Sequence, residues 1–356
     1  MNIITILRSG YLAASALVLL VALISPFRTR FLAYGARTSP SNGPSSAKKD
    51  KAAVKNPQSE STLIAVLDRL ADLTVPHSWF TSFYVVCVAW SLVWASQLLI
   101  QGPLSRLVAA YATAERGATM TARQVVVAWA MLMVQGSRRL YESLEFAKPS
   151  KSRMWFVHWV LGIGFYTATG MAVWVEGICG YCSTPSKKTR GMLTRTPAAV
   201  QAHTFSLDDI AVTGPDLRTF ASVLLFILAS GVQHDCHAYL ASLKSKPAPS
   251  PPTNTVQISE RRRDESNESG GYKLPDHPAF AYLIAPHYTA ECLIYLSLTM
   301  VAAPQGGAWV NLTLACALVF VVVNLGATAD VTREWYRGRF GEEAVKGKWR
   351  LVPFVW

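Results

Sequence analysis

The residues with the clearest chemical potential stand where an apolar segment begins in the last quarter of the chain. Pro286, His287 and Tyr288 open this segment, and Glu291 follows four residues after His287. Residues four apart share one face of a helix, so the imidazole and the carboxylate can act together. Ionisable groups at membrane depth cost free energy, and their presence usually marks a functional site.

A second set of polar residues closes an earlier apolar segment. Gln135, Arg138 and Glu142 fall on one helix face, and Arg138 is spaced to pair with Glu142. One interpretation is a cytosolic anchor whose arginine heads reach the headgroup layer. The Gln and Glu among the arginines favour the other interpretation, a buried polar cluster.

A third set lies at and after a short stretch that contains His234 and His237. Gln233, His237 and Lys244 lie on nearly one face at the end of another apolar segment, which suits an anionic ligand arriving from the cytosol. Further basic and aromatic residues belong to the same membrane face: Tyr272, Lys273 and Tyr336. The alternative is a solvated basic rim with a structural His–Glu pair. With no Walker or GxGxxG loop, the pattern favours a nucleotide cofactor in a helical pocket.

A metal site is not expected. The seven histidines are scattered rather than grouped in HxxxH and HxxHH boxes, although His234, His237, His287 and Glu291 are all possible ligand types. Cys179 and Cys182 form a CxxC pair, but a structural zinc site needs a second pair. A local disulfide or free thiols fit this pair better.

The elements that must position these residues are apolar segments of membrane-spanning length. Among 356 residues, 51% are hydrophobic and 16% are charged, well below the charged fraction of a soluble domain. The fold class is therefore an all-α, polytopic membrane bundle. About seven spans are predicted: 4–27, 79–100, 124–146, 154–178, 218–240, 281–303 and 307–328.

The net charge of +12 reflects membrane topology. Most of the 34 Lys and Arg residues fall in loops on the side of the C-terminus, which the positive-inside rule places in the cytosol. A nucleic-acid partner is not expected, because the basic residues do not cluster on a soluble domain. We divide the chain into N-terminal spans with a polar cytosolic loop (1–100), middle spans (101–240) and a C-terminal region that would bind the cofactor (241–356).

Several motifs in order resemble the steroid 5α-reductase family, and within it the polyprenal (polyprenol) reductase branch. They are VPHSWFTSFYVVCVAW (75–90), QGSRRLYESLEF (135–146), SKSRMWFVHWVLGIGFYT (150–167), QHDCHAYLASLK (233–244), PHYTAECLIY (286–295) and the terminal PFVW. The resemblance covers most of the chain. It implies a seven-helix membrane reductase that uses NADPH. The family's cofactor positions correspond to Gln233, His237, Lys244, Tyr272, Lys273, His287, Glu291, Tyr336 and Lys348.

The chain departs from the steroid-reducing members at the substrate end. Those members carry a Tyr that polarises the steroid ketone where this chain has Gln135, and a Glu in a QELP motif that is missing here. Asp72 is only a loose positional substitute for that Glu. A steroid substrate is therefore disfavoured, and Gln135, Arg138 and Glu142 are the predicted catalytic residues.

The predicted function is NADPH-dependent reduction of the α-isoprene double bond of polyprenal or polyprenol. This would supply dolichol for protein glycosylation at the endoplasmic reticulum membrane, with the C-terminus cytosolic. The partners would be a long-chain isoprenoid and the lipid bilayer. Three alternatives stay open: a 3-oxo-5α-steroid 4-dehydrogenase, a membrane enzyme like the isoprenylcysteine methyltransferases, and a non-enzymatic isoprenoid- or sterol-binding protein.

Overall fold

The described part of the chain forms a bundle of helices with one very small sheet. A computed structural model describes residues 2–32, 62–112, 120–147, 152–181, 214–243, 273–304 and 307–356. Its α-helices are α1 (Ile3–Leu23), α2 (Ser25–Phe27), α3 (Thr62–Ala71), α4 (Thr81–Leu99), α5 (Pro103–Tyr111), α6 (Ala122–Glu145), α7 (Phe156–Tyr181), α8 (Leu217–Ser242), α9 (Pro286–Val301) and α10 (Leu312–Phe340). Short helical turns of other types occupy Arg28–Leu32, His77–Phe80, Pro278–Phe280 and Glu342–Ala344.

Within the described residues, five helical segments are long and apolar enough to cross a membrane. They are Ile3–Leu23, His77–Leu99, Phe156–Gly177, Leu217–Ser242 and Leu312–Phe340. The predicted all-α membrane bundle is confirmed, but the predicted count of seven spans is not. Helices do form at the third and sixth predicted spans, as α6 and α9. However, the second half of α6 is rich in charged residues, and α9 is only 16 residues long.

The shortness of α9 fits its place in the middle of the bundle. It packs between α8 and α10 and also contacts α6. Ile294 and Leu298 on this helix are fully buried, as is Val301 at its end. Because α9 is surrounded by protein, it does not need a lipid-facing surface of full membrane length.

A two-stranded antiparallel sheet fixes the starts of α4 and α7 at the same level. Strand β1 (Thr74–Pro76) pairs with β2 (Arg153–Trp155), with Val75 opposite Met154. The Arg153 guanidinium also donates to the Thr74 carbonyl oxygen at 2.7 Å. This sheet lies just before α4 and α7 in the sequence, so it holds two membrane helices side by side.

The C-terminal segment lies against the residues that precede α9. The Ile284 amide donates to the Trp349 carbonyl, and the Trp349 amide donates to the Tyr282 carbonyl. The Thr289 hydroxyl also donates to the Leu351 carbonyl at 2.5 Å. The segment that carries Lys348 is thereby tied to the beginning of α9, where His287 and Glu291 lie.

A buried ion pair joins three helices at the opposite end of the bundle. Glu176 on α7 accepts from Arg8 of α1 at 3.2 Å and from Asn311, which caps α10, at 3.0 Å. The Thr313 hydroxyl donates to the same carboxylate. Because Glu176 is only 3% exposed, these bonds compensate its carboxylate for the hydrogen bonds to water that it loses on burial.

Candidate active site

Two glutamines and a glutamate meet where α6, α8 and α9 converge. The Gln135 side-chain amide donates to Gln233 Oε1 at 3.1 Å and to Glu291 Oε2 at 3.2 Å. The Gln233 amide in turn donates to Glu291 Oε2 and to the His287 carbonyl. Gln135 and Gln233 are each 2% exposed. We call these three side chains the amide–carboxylate triad.

A second carboxylate, Glu142, lies two turns further along α6 than Gln135 and contacts four basic side chains. Its two oxygens accept from Arg138 and Arg139 respectively. His234 Nδ1 lies 2.8 Å from Glu142 Oε1, and His237 Nδ1 lies 2.9 Å from Oε2. Glu142 is 2% exposed, so its charge is compensated by these neighbours rather than by water.

Arg138 joins the triad to the Glu142 group. One terminal nitrogen donates to Glu142, and the other donates to Gln135 Oε1 at 2.7 Å and to Gln233 Oε1. Its Nε is buried and has no hydrogen-bond partner in the described part of the chain. The buried polar cluster predicted from residue spacing is therefore present, while the catalytic roles of its members stay predictions.

Tyr84 and Arg139 belong to the same cluster but were missing from the predicted site residues. Arg139 Nη2 donates to the Tyr84 hydroxyl at 2.7 Å, and the guanidinium carbon lies 4.9 Å from the Tyr84 ring centre. Gly136 lets α6 approach α4 closely, because a Cβ there would lie 2.8 Å from Cys87 Sγ. Spacing along one helix gives no signal for a partner that arrives from another helix.

The predicted cofactor residues fall into two neighbouring groups. Gln233, His237, His287 and Glu291 lie at the polar cluster, where the His237 and His287 ring centres are 5.4 Å apart. The second group, Tyr336 and Lys348, lines a groove. The other residues of that groove are Leu274, Pro275, Phe280, Leu283 and Ile284.

Phe280 connects the two groups. It lines the groove, and its ring centre lies 6.2 Å from that of His287. Phe280 itself is 2% exposed, and its ring is 6.0 Å from that of Tyr239 on α8. A ligand that extends from the polar cluster to Lys348 would therefore pass beside this aromatic ring.

The segment that begins at Lys273 is fastened to α8 by polar contacts. His277 Nε2 lies 3.1 Å from Asp235 Oδ2, and the Asp276 amide donates to the Tyr239 hydroxyl at 2.7 Å. Lys273 is exposed at the start of this segment. The remaining predicted cofactor residues, Lys244 and Tyr272, lie outside the described residues, as does the side chain of Cys179 together with Cys182.

Asp72, the loose positional substitute for the missing Glu, lies at the exposed end of α3. The described hydrogen bonds of the polar cluster do not include it. No group of three or more His, Cys, Asp or Glu side chains in the described ranges is arranged to hold a metal ion. The buried amides, guanidiniums and carboxylates of the cluster offer hydrogen bonding and charge stabilisation.

Comparison with known proteins identifies the C-terminal part of the chain. Residues 200–356 match the family model described as 3-oxo-5-alpha-steroid 4-dehydrogenase. This part of the chain is therefore similar to the steroid 5α-reductase family. It contains α8, α9 and α10, and with them Gln233 and Glu291 of the triad.

Curated relatives extend the likeness over most of the chain at low identity. "Polyprenal reductase 2" of Oryza sativa subsp. indica is 24% identical over 317 residues, which cover 80% of each chain. "Polyprenal reductase" of Xenopus laevis is 26% identical over 290 residues, covering 79% of this chain and 77% of the relative. The human "Polyprenal reductase" is 22% identical over 294 residues, covering 79% and 78%. The predicted family resemblance is confirmed, and the likeness indicates a multi-pass membrane reductase.

Proposed function

We propose that this protein reduces the α-isoprene double bond of polyprenal with NADPH, as a step toward dolichol for protein glycosylation. The observation that carries the proposal is the amide–carboxylate triad. It joins α6 to two helices of the part similar to the steroid 5α-reductase family, in a chain similar to polyprenal reductases. The protein would act in the endoplasmic reticulum membrane with its C-terminus cytosolic, since the basic loops favour that orientation.

Glu291 fits the role of anchor for a nicotinamide amide. Both described side-chain hydrogen bonds to this carboxylate end on Oε2, so Oε1 can accept from a further N–H donor. Gln135 and Gln233 would hold the carboxylate in place. When bound, the reduced nicotinamide supplies hydride.

The remaining cofactor residues would hold the rest of the dinucleotide along the cytosolic rim. Lys348 and Tyr336 line the groove beside Phe280, and Lys273 is exposed next to it. Lys244 and Tyr272 complete the proposed set, and His237 and His287 would flank the nicotinamide end. Ammonium groups attract phosphates as point charges, which suits a basic rim.

Gln135 and Arg138 would face the substrate carbonyl. Reduction of an α,β-unsaturated aldehyde places negative charge on the oxygen, and fixed donors in a dry site stabilise that charge strongly. The buried Nε–H of Arg138 has no partner in the described ranges and could serve as such a donor. Glu142 would hold the Arg138 guanidinium in position through its other side.

A long isoprenoid tail would leave the site sideways into lipid. Several membrane helices carry large apolar residues on their exposed faces, for example Val85 and Leu92 on α4 and Leu224 and Ile227 on α8. These faces match the hydrocarbon core of a bilayer. The substrate would therefore need a protein pocket only for its reactive end.

Reduction of a 3-keto-4-ene steroid is the second candidate, favoured by the description of the matched family model. The two are separated by incubating membranes that contain the protein with NADPH and either polyprenal or the steroid. We expect polyprenal to lose its α double bond and the steroid to be unchanged. Reduction of the steroid alone would refute the proposal, and so would methyl transfer from S-adenosylmethionine without any reduction.

A further inference from the structure

Tyr295 on α9 carries a buried hydroxyl that has no hydrogen-bond partner among the described residues. The residue is 2% exposed, and its hydroxyl bonds to none of the described residues. The large majority of buried polar groups in native proteins are hydrogen-bonded, and an exception calls for a partner such as a water or a ligand. The surroundings of Tyr295 distinguish between these two.

Other buried tyrosines of the bundle have partners within the protein. The hydroxyl of Tyr11, which is 4% exposed, lies 3.1 Å from Thr169 Oγ1. The hydroxyl of Tyr84, which is 3% exposed, accepts from Arg139 at 2.7 Å. The bundle therefore supplies a protein partner to these two phenols but, among the described residues, none to the phenol of Tyr295.

Tyr295 lies next to the proposed reaction site. It follows Glu291 by four residues, so its side chain lies on the same face of α9, one turn deeper in the bundle. The phenol is within electrostatic range of Glu291, Cys87, Tyr11 and Tyr84. Its hydroxyl is thus placed between the carboxylate proposed to anchor the nicotinamide and the apolar interior.

The ring of Tyr295 packs against apolar side chains. It contacts Phe165 of α7 at a centroid distance of 5.5 Å, and Phe165 stacks on Phe320 of α10 at 5.1 Å. Ile294 and Leu298, on the same helix, are fully buried. A buried water needs two to four polar partners, whereas an apolar ligand with a single oxygen needs only one donor. An isoprenoid aldehyde has that composition.

We propose that the Tyr295 hydroxyl donates a hydrogen bond to the carbonyl oxygen of the isoprenoid aldehyde, a role that rests on the function proposed above. As the β-carbon accepts hydride from the reduced dinucleotide, the electrons of the C=C bond shift and leave an enolate oxygen. Tyr295 keeps its proton and stabilises that oxygen with its hydrogen bond. A proton from water then reaches the α-carbon and completes the reduction.

The test compares Tyr295→Phe with Tyr11→Phe, which removes a buried hydroxyl that already has a protein partner. For Tyr295→Phe we expect kcat for polyprenal reduction to fall about 100-fold, with the KM for NADPH unchanged. Thermal stability should not fall, because no bond within the protein is lost. Tyr11→Phe should keep the wild-type kcat. An unchanged kcat in Tyr295→Phe, or a loss of activity that follows a loss of stability, would overturn the proposal.

A binding measurement separates this inference from the proposed function. An α-saturated isoprenoid aldehyde and a hydrocarbon of equal chain length compete for the protein with a fluorescent isoprenoid. The wild-type protein should bind the aldehyde about 10-fold more tightly, and Tyr295→Phe should bring that ratio close to one. An unchanged ratio refutes the role of Tyr295 even if reduction occurs. Failure of the wild-type protein to reduce polyprenal would instead refute the proposed function.

Discussion

Replacing Glu142 with alanine removes the carboxylate on which the polar cluster is built. Arg138 and Arg139 both donate to it, and their side chains are only 17% and 13% exposed. Without Glu142, two cations would remain largely buried with no direct counter-charge. Breaking a buried ion pair by removing one partner costs about 3–5 kcal/mol, because the remaining charge is left uncompensated.

The expected loss of stability is large compared with the loss caused by replacing a surface glutamate on the same helix. Glu145 is exposed three residues further along α6, so Glu145→Ala should change the free energy of unfolding by less than about 0.5 kcal/mol. The assay is thermal unfolding of the detergent-solubilised protein, followed by the fluorescence of its 11 tryptophans. Glu142→Ala should unfold at a clearly lower temperature than Glu145→Ala.

A second substitution checks the cause of this loss. Combining Glu142→Ala with Arg139→Met removes one of the uncompensated cations and should restore part of the lost stability. Equal stability of Glu142→Ala and Glu145→Ala would refute the argument that Glu142 compensates buried charge. A double variant less stable than Glu142→Ala alone would show that Arg139 contributes mainly by packing or by its bond to Tyr84.

Two further predictions concern the far end of the bundle and the C-terminal segment. Glu176→Ala removes the acceptor shared by three side chains and should lower the free energy of unfolding by about 3 kcal/mol, while the KM for NADPH stays unchanged; a raised KM with normal stability would contradict this. Gly326→Ala should displace the C-terminal segment, since a Cβ there would lie 2.2 Å from the Trp356 ring. NADPH binding should then weaken by about 10-fold, or roughly 1.4 kcal/mol. Gly338→Ala should bind NADPH normally, because a Cβ added there would have no atom of the described residues within 4 Å. Equal NADPH affinity of these two glycine variants would contradict the expectation that the position of the C-terminal segment affects NADPH binding.

Residue spacing predicted the parts of the site that lie along one helix. Gln135, Arg138 and Glu142 do share a face of α6, and Arg138 pairs with Glu142 as expected from a separation of four. The same rule places Gln233 and His237 on one face of α8. Contacts along a single helix follow from helix geometry alone, so the sequence is sufficient to predict them.

Contacts between helices could not be predicted in this way. Tyr84 reaches Arg139 only because α4 lies against α6 at Gly136, and nothing in the spacing of either helix indicates that approach. Similarly, Tyr336 and Lys348 are separated in sequence from the groove residues Leu274 to Ile284 that complete their surroundings. The predicted count of seven spans is not confirmed for a related reason, since α9 is packed among other helices and need not match the membrane thickness.

The most direct test of the central claim is NADPH-dependent loss of the α double bond of polyprenal, measured for the purified protein in lipid and for Glu291→Ala. The control is Glu343→Ala, a surface glutamate that pairs with Lys346. We expect the wild-type protein and Glu343→Ala to reduce polyprenal, and Glu291→Ala to be inactive although it folds. Full activity of Glu291→Ala would contradict the account.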